Sequence, residues 1–194
     1  MAFLSQSCIW LRAQGLTLLL ALCLLTPALG ARAEDTASSG GESLSEARVT
    51  AAFIVNFIQF VRWPQQITPL QLCVVGPEHV GDVLEALSNL SREKSALAIR
   101  RLRFSGETSV EIKGCHALFV PAAARSSLAQ ILKQTQGKPV LVISDITGAA
   151  ALGVALGLVP VSGNRLSFDA NFTAAREAGL ILNARLLQLA RRVY

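Results

Sequence analysis

Three stretches of strand length, residues 70–75 (LQLCVV), 116–120 (HALFV) and 140–144 (VLVIS), run with almost no alternation of apolar and polar side chains. A strand with one face in water alternates, whereas a strand without alternation has to be covered on both faces. Strands of that kind belong to sheets layered between helices, and the intervening segments supply helical patterns. Val83, Leu84, Leu87 and Leu90 recur at helical spacing within 80–90, and Ser126 or Ser127 is placed to cap a helix running to about Gln134. Residues 97–104 set Leu97, Ile99, Leu102 and Phe104 against Arg100, Arg101 and Arg103, with one slip of register. The expected fold is α/β: a single three-layer sandwich, a mainly parallel sheet with helices on both faces.

The ends of the chain are expected to be helical. Ser45 can cap a helix over residues 46–63, which Pro64 ends because proline disfavours helical geometry in the residue before it. Phe53, Phe57 and Phe60 fall on one face, while Ile54, Ile58 and Val61 extend the apolar surface round the cylinder. Such a helix is deeply buried or packed on two sides. Residues 146–163 hold no charge and are expected to form a short turn and a strand at 154–159. A last strand at 165–168 would pair back across Ser162-Gly163-Asn164. From Asn171 or Thr173 a helix to about Val193 is expected, with Ala175, Ala178, Leu182, Leu186, Leu189 and Val193 on one side. Gly179 inside it costs about 1 kcal/mol relative to alanine and is read as permitting a close backbone approach.

Residues 1–33 have the three parts of a secretory signal. Arg12 is the lone early charge, residues 16–25 form an apolar run, and Ala31-Arg32-Ala33 fits a small-x-small cleavage site before Glu34. An uncleaved anchor is the alternative, but that run is ten residues long and a bilayer needs about twenty. Leu20-Ala21-Leu22-Cys23 resembles a lipoprotein box with too large a residue before the cysteine. Residues 34–45, rich in Ser, Gly, Glu and Asp, read as a flexible tail, and residues 46–194 as the folded domain. Cleavage lowers the formal charge from +5 to +3 and removes Cys8 and Cys23, leaving Cys73 and Cys115. Two cysteines in an exported chain suggest one disulfide, with two free buried thiols as the alternative.

Few sites for chemistry are visible. There is no G-x-S-x-G elbow, no phosphate-binding loop and no dinucleotide fingerprint, and His79 and His116 are the only histidines. No metal site and no cofactor are expected. A nucleic-acid reader is not expected either, since only Arg100, Arg101 and Arg103 cluster, with Phe104 as the one ring beside them. Asp145 follows a buried strand at its carboxyl end, where α/β sheets place ligands and catalysis, although a carboxylate there also serves simply as a turn residue. His116 reads as an interior histidine. Arg176, Arg185, Arg191 and Arg192 form either the solvated face of the last helix or the rim of a docking surface that includes Tyr194.

Five segments taken in order resemble the YfiR family of periplasmic regulators. They are Ala51-Ala52-Phe53 with Asn56-Phe57 and Phe60-Val61-Arg62-Trp63-Pro64; Leu72-Cys73-Val74-Val75-Gly76; Cys115-His116-Ala117-Leu118-Phe119-Val120; the strand end at Asp145; and Phe168-Asp169-Ala170-Asn171 with the helix after it. The resemblance runs from about Arg48 to Val193. It implies a non-enzymatic repressor that dimerises in the periplasm and binds the periplasmic sensor domain of an inner-membrane diguanylate cyclase, lowering cyclic di-GMP and biofilm formation. It also implies sequestration by an outer-membrane lipoprotein. Cys73 and Cys115 match one of the family's disulfide pairs, while the second pair of some members is missing, since residues 146–163 hold no cysteine. Asn183-Ala184 replaces a common Ser-Ser.

The candidate partner surface comprises Phe53, Phe57, Trp63, Arg176, Arg185, Arg192 and Tyr194. Two other classes stay open. An extracytoplasmic ligand-binding sensor module predicts a concave pocket near Asp145. A periplasmic hydrolase would use Asp145 or His116.

Overall fold

Helix α1, Asp35–Gln59, leads into a two-residue strand β1, Val61–Arg62, and then β2, Leu70–Val75. Helix α2, His79–Leu90, connects to β3, Leu97–Leu102, and β4 is Ala117–Val120. A 3-10 turn, Ala122–Ser127, continues into α3, Leu128–Thr135, and β5, Leu141–Ser144, follows. After a second 3-10 turn, Ala149–Leu152, come β6, Leu156–Val161, and β7, Arg165–Ala170. The chain closes with α4, Phe172–Glu177, β8, Ile181–Leu182, α5, Ala184–Leu189, and β9, Arg192–Val193. The computed structural model describes residues 35–76, 79–90, 97–103, 111–162 and 165–194. The signal expected at 1–33, Phe104 and the turn residues Gly163 and Asn164 lie outside them. Up to Ser39 only the opening of α1 is described, and Gly40–Tyr194 forms one compact unit.

Seven strands form one sheet in the order β3-β2-β4-β5-β6-β7-β9. The neighbours from β3 to β6 are parallel, β6 and β7 pair antiparallel, and β7 and β9 are parallel. Successive side chains of a strand point to opposite faces, and the core divides accordingly. Leu72, Val74, Ala117, Phe119, Leu141 and Ile143 pack with Ala51, Ile54 and Phe57 of α1 and with Val80 and Leu84 of α2. Cys73, Val75, Leu118, Val120 and Val142 pack on the other face with Leu128 and Ile131 of α3. This is the α/β sandwich expected from unalternating strands. Gly157 in β6 sits where a Cβ would lie 3.0 Å from the Ala150 backbone nitrogen, so the 3-10 turn rests directly on that strand.

Several elements differ from the sequence reading. The first helix begins at Asp35, inside the stretch expected as a tail, and ends at Gln59 instead of Trp63. No proline interrupts its N-terminal extension, and at the other end Val61–Arg62 leave the helix to pair antiparallel with Leu182 and Ile181 of β8. Leu87, expected to face inward, is exposed. Ser127 precedes α3 without a side-chain capping bond.

The largest difference is at the C-terminus, where the single helix expected to about Val193 is two short helices and two short strands. Of the two starts expected, Asn171 and Thr173, it is Asn171 that caps α4, its Oδ1 accepting from the Ala174 amide at 2.7 Å. The chain then turns at Gly179, whose φ is +72°, with the Leu180 amide donating back to the Ala175 carbonyl. A Cβ on Gly179 would meet nothing within 4 Å, so the residue is there for its left-handed backbone and not for a close approach.

Candidate docking surface

The sequence-derived candidates separate into side chains held inside the fold and side chains presented outward. Phe57 belongs to the core at 2% exposure, which removes it from any docking surface. It packs edge-on against Phe53 (centroids 5.7 Å apart) and against Phe168 of β7 (4.8 Å). Phe53 is half-buried and also meets Phe168 edge-on. These rings carry α1 onto the sheet because aromatic pairs favour that geometry and bury large area. Trp63 is half-buried as well, with its indole N–H within hydrogen-bonding distance of the His116 and Pro139 carbonyls. Its ring thus clasps the segment after α1 to the strand starts of β4 and β5.

His116 Nδ1 accepts the Gln71 amide at 2.9 Å, and the His116 amide donates to the Gln71 carbonyl. The imidazole, half-buried, therefore extends the β2–β4 ladder by one bond. Asp145 is half-buried at the carboxyl end of β5. Among the described residues no group of three or more His, Cys, Asp or Glu side chains is placed to hold a metal ion.

Cys73 and Cys115 form a disulfide with Cα atoms 5.8 Å apart. It ties β2 to the residue pair preceding β4, on the sheet face covered by α3. Arg100 pairs with Cys73 in the β2–β3 register and lies over the sulfurs, its Nη2 at 3.1 Å from Cys115 Sγ and 3.5 Å from Cys73 Sγ, while also donating to the Lys113 carbonyl. Arg101 turns to the other face and bonds Glu85 Oε1 and Asp82 Oδ1 of α2. Burial lowers the Arg101 pKa, but hydrogen bonding and attraction to those two carboxylates outweigh it and hold the value above the ordinary one. Arg100 and Arg101 thus turn to opposite faces of the sheet and do not share one basic face.

Arg176, Arg185, Arg192 and Tyr194 are exposed, which fits a solvated face as well as a docking rim. Apolar side chains that the sequence reading had placed inward join them. Leu189 is 69% exposed and Val193 52% exposed, because the break at Gly179 takes both off the buried stripe of the expected helix. Ile181 is 60% exposed on β8, and Phe172 and Tyr194 are also open. Phe172 and Tyr194 are brought together by the Phe172 amide, which donates to the Tyr194 carbonyl at 2.9 Å. The Arg176 guanidinium lies 5.9 Å from the Phe172 ring centroid, within the range of a cation–π contact.

A family model described as YfiR/HmsC-like matches residues 47–191. Among solved structures, the crystal structure of a conserved domain protein from Vibrio cholerae superposes with a TM-score of 0.52 at 12% sequence identity. The match covers 76% of this chain and 60% of that one, so the chain spans three fifths of its relative's length. At that identity the likeness speaks for the fold. No helix among the described residues is long and apolar enough to cross a membrane.

Proposed function

Since the chain belongs to the YfiR/HmsC-like family, a family of periplasmic regulators, we propose that it is a repressor that binds the periplasmic sensor domain of an inner-membrane diguanylate cyclase. Binding holds the cytoplasmic output of the cyclase down, and so lowers cyclic di-GMP and biofilm formation. Repression at a distance requires binding energy that favours one receptor conformation, and it needs no catalytic group.

What supports this reading is that Phe172, Ile181, Leu189, Val193 and Tyr194 of the C-terminal segment are all exposed, as are Arg176, Arg185 and Arg192, with Arg176 set against the Phe172 ring. Aromatic anchors with arginines are the composition of binding hot spots, which Phe172, Tyr194 and the three arginines supply. The positive rim selects an acidic receptor face and speeds encounter. An outer-membrane lipoprotein competing for this surface would relieve repression, and a homodimer would present it twice.

The test uses the full exported chain and the purified periplasmic domain of a membrane cyclase encoded beside its gene. Binding is expected, with loss in the R176E/R185E/R192E variant, and deletion of the gene is expected to raise cyclic di-GMP and surface attachment. Unchanged cyclic di-GMP on deletion, with the cyclase expressed, counts against the proposal.

A further inference from the structure

β4 and β5 run parallel and end level with each other, Val120 opposite Ser144. The buried Ser144 hydroxyl donates to the Val120 carbonyl at 2.7 Å and accepts the Ile146 amide at 3.1 Å. Those two bonds fix the turn that carries Asp145 at the carboxyl end of β5. Open α/β sheets collect ligands outside the carboxyl ends of their parallel strands. Here that position holds a cleft of about 320 Å³, at the small end of the range for ligand sites. Its chemistry is mixed. Glu46 of α1 and Asp145 bring two carboxylates, Arg165 at the start of β7 brings a guanidinium, and Val49, Val161 and Leu166 bring apolar surface. Arg165 Nε donates to the Ser162 carbonyl at 3.2 Å, which holds the guanidinium group by one edge.

We propose that this cleft is a binding site for a small zwitterion, an ammonium and a carboxylate carried on a short apolar body. A plain cation would meet Arg165 and a plain anion would meet Glu46 and Asp145, each like-charge approach costing binding energy. A zwitterion sets its ammonium against the carboxylates and its carboxylate against the guanidinium, while its methylenes cover Val49, Val161 and Leu166. Charge-assisted hydrogen bonds are about twice as strong as neutral ones, and the arginine fork suits a carboxylate in two-point contact. The site is independent of which protein the chain docks.

The experiment is titration calorimetry of the full exported chain with ω-amino acids from β-alanine to ε-aminocaproate, and with hexylamine and hexanoate as the two half-ligands. The best ω-amino acid is expected to bind about tenfold more tightly than either half-ligand, as one retained charge-assisted contact requires. R165Q is expected to reduce its affinity to that of hexylamine, and E46Q to weaken ω-amino acids and hexylamine but not hexanoate. Glu46 and Arg165 are exposed, so these variants fold, and D145N adds a third reading where its melting curve is native. Val49→Trp, at an exposed helix position, is expected to fill the cleft and abolish binding. Absence of binding by every ω-amino acid overturns the proposal, as does equal binding of all three charge types or binding untouched by Val49→Trp.

Discussion

Arg191 donates from Nε and Nη2 to the two carboxylate oxygens of Asp169, at 3.0 and 2.9 Å. Asp169 is buried in β7 and Arg191 reaches it from the residue before β9, so the pair fastens the end of the chain to the sheet edge. The Tyr194 amide, donating to the Ala170 carbonyl, continues the same attachment. Hydrogen bonding to Asp169 chiefly raises the Arg191 pKa above its ordinary value, against some opposing desolvation. A raised folded value stabilises at every pH below the ordinary arginine value and is lost only as pH rises through the folded one. The guanidinium side of this contact is therefore constant across all physiological pH.

Replacing Arg191 with Met leaves the buried Asp169 carboxylate without that partner, the costly way to break an ion pair. The melting temperature is expected to fall by several degrees, and amide exchange is expected to quicken most at 190–194. The same variant should bind the cyclase domain more weakly, because Val193 and Tyr194 lose their fixed position. A native exchange pattern at 190–194 would contradict the attachment.

The Cys73–Cys115 bridge closes a sequence separation of 42 residues. Restricting the unfolded chain over a loop of that length is worth about 4 kcal/mol in the chain-entropy account. The double alanine variant is expected to lose stability on that scale in urea melts, with less than the full amount if the reduced state retains structure. In the wild-type protein isolated under non-reducing conditions, alkylation after denaturation without reductant should label neither Cys73 nor Cys115.

Phe57 and Ile181 separate packing from docking. Phe57→Ala removes a ring wedged between Phe53 and Phe168, and is expected to cost about 3–5 kcal/mol by the cavity it leaves. Ile181→Ser, at a side chain 60% exposed, should leave the melting curve nearly unchanged and weaken binding to the cyclase domain. If Ile181→Ser melts early and binds normally, the exposed surface is structural and the docking site is elsewhere.

The strands β2, β4 and β5 were legible because burial on both faces erases alternation, a pattern that survives without any knowledge of neighbours. Asn171 was legible because a cap is a local matter between one side chain and the next turn. The exposure of the C-terminal apolar side chains was not. Leu189 and Val193 fit the helical stripe of Leu182 and Leu186 by spacing, and only the turn at Gly179 releases them. Phe57 reads as surface from sequence because an all-apolar helix looks the same whether its rings meet a partner or the sheet. The role of Arg100 depended on register, since it lies over the disulfide only once β3 is paired beside Cys73.

Gly179 turns that ambiguity into a measurement of sign. In a continuous helix from Asn171 to Val193, replacing glycine with alanine would stabilise by about 1 kcal/mol, through the restricted unfolded chain and better helix propensity. In the structure the residue has φ of +72°, where an L side chain costs about 1–2 kcal/mol. No neighbour lies within 4 Å of the added Cβ, so steric collision contributes nothing and the backbone conformation alone decides. G179A is therefore expected to destabilise by about 1 kcal/mol in urea melts, and to lower cyclase-domain binding by loosening the turn that presents Ile181. A stabilised G179A would mean that the chain runs on as one helix, with Leu189 and Val193 returned to its buried side and the docking surface gone.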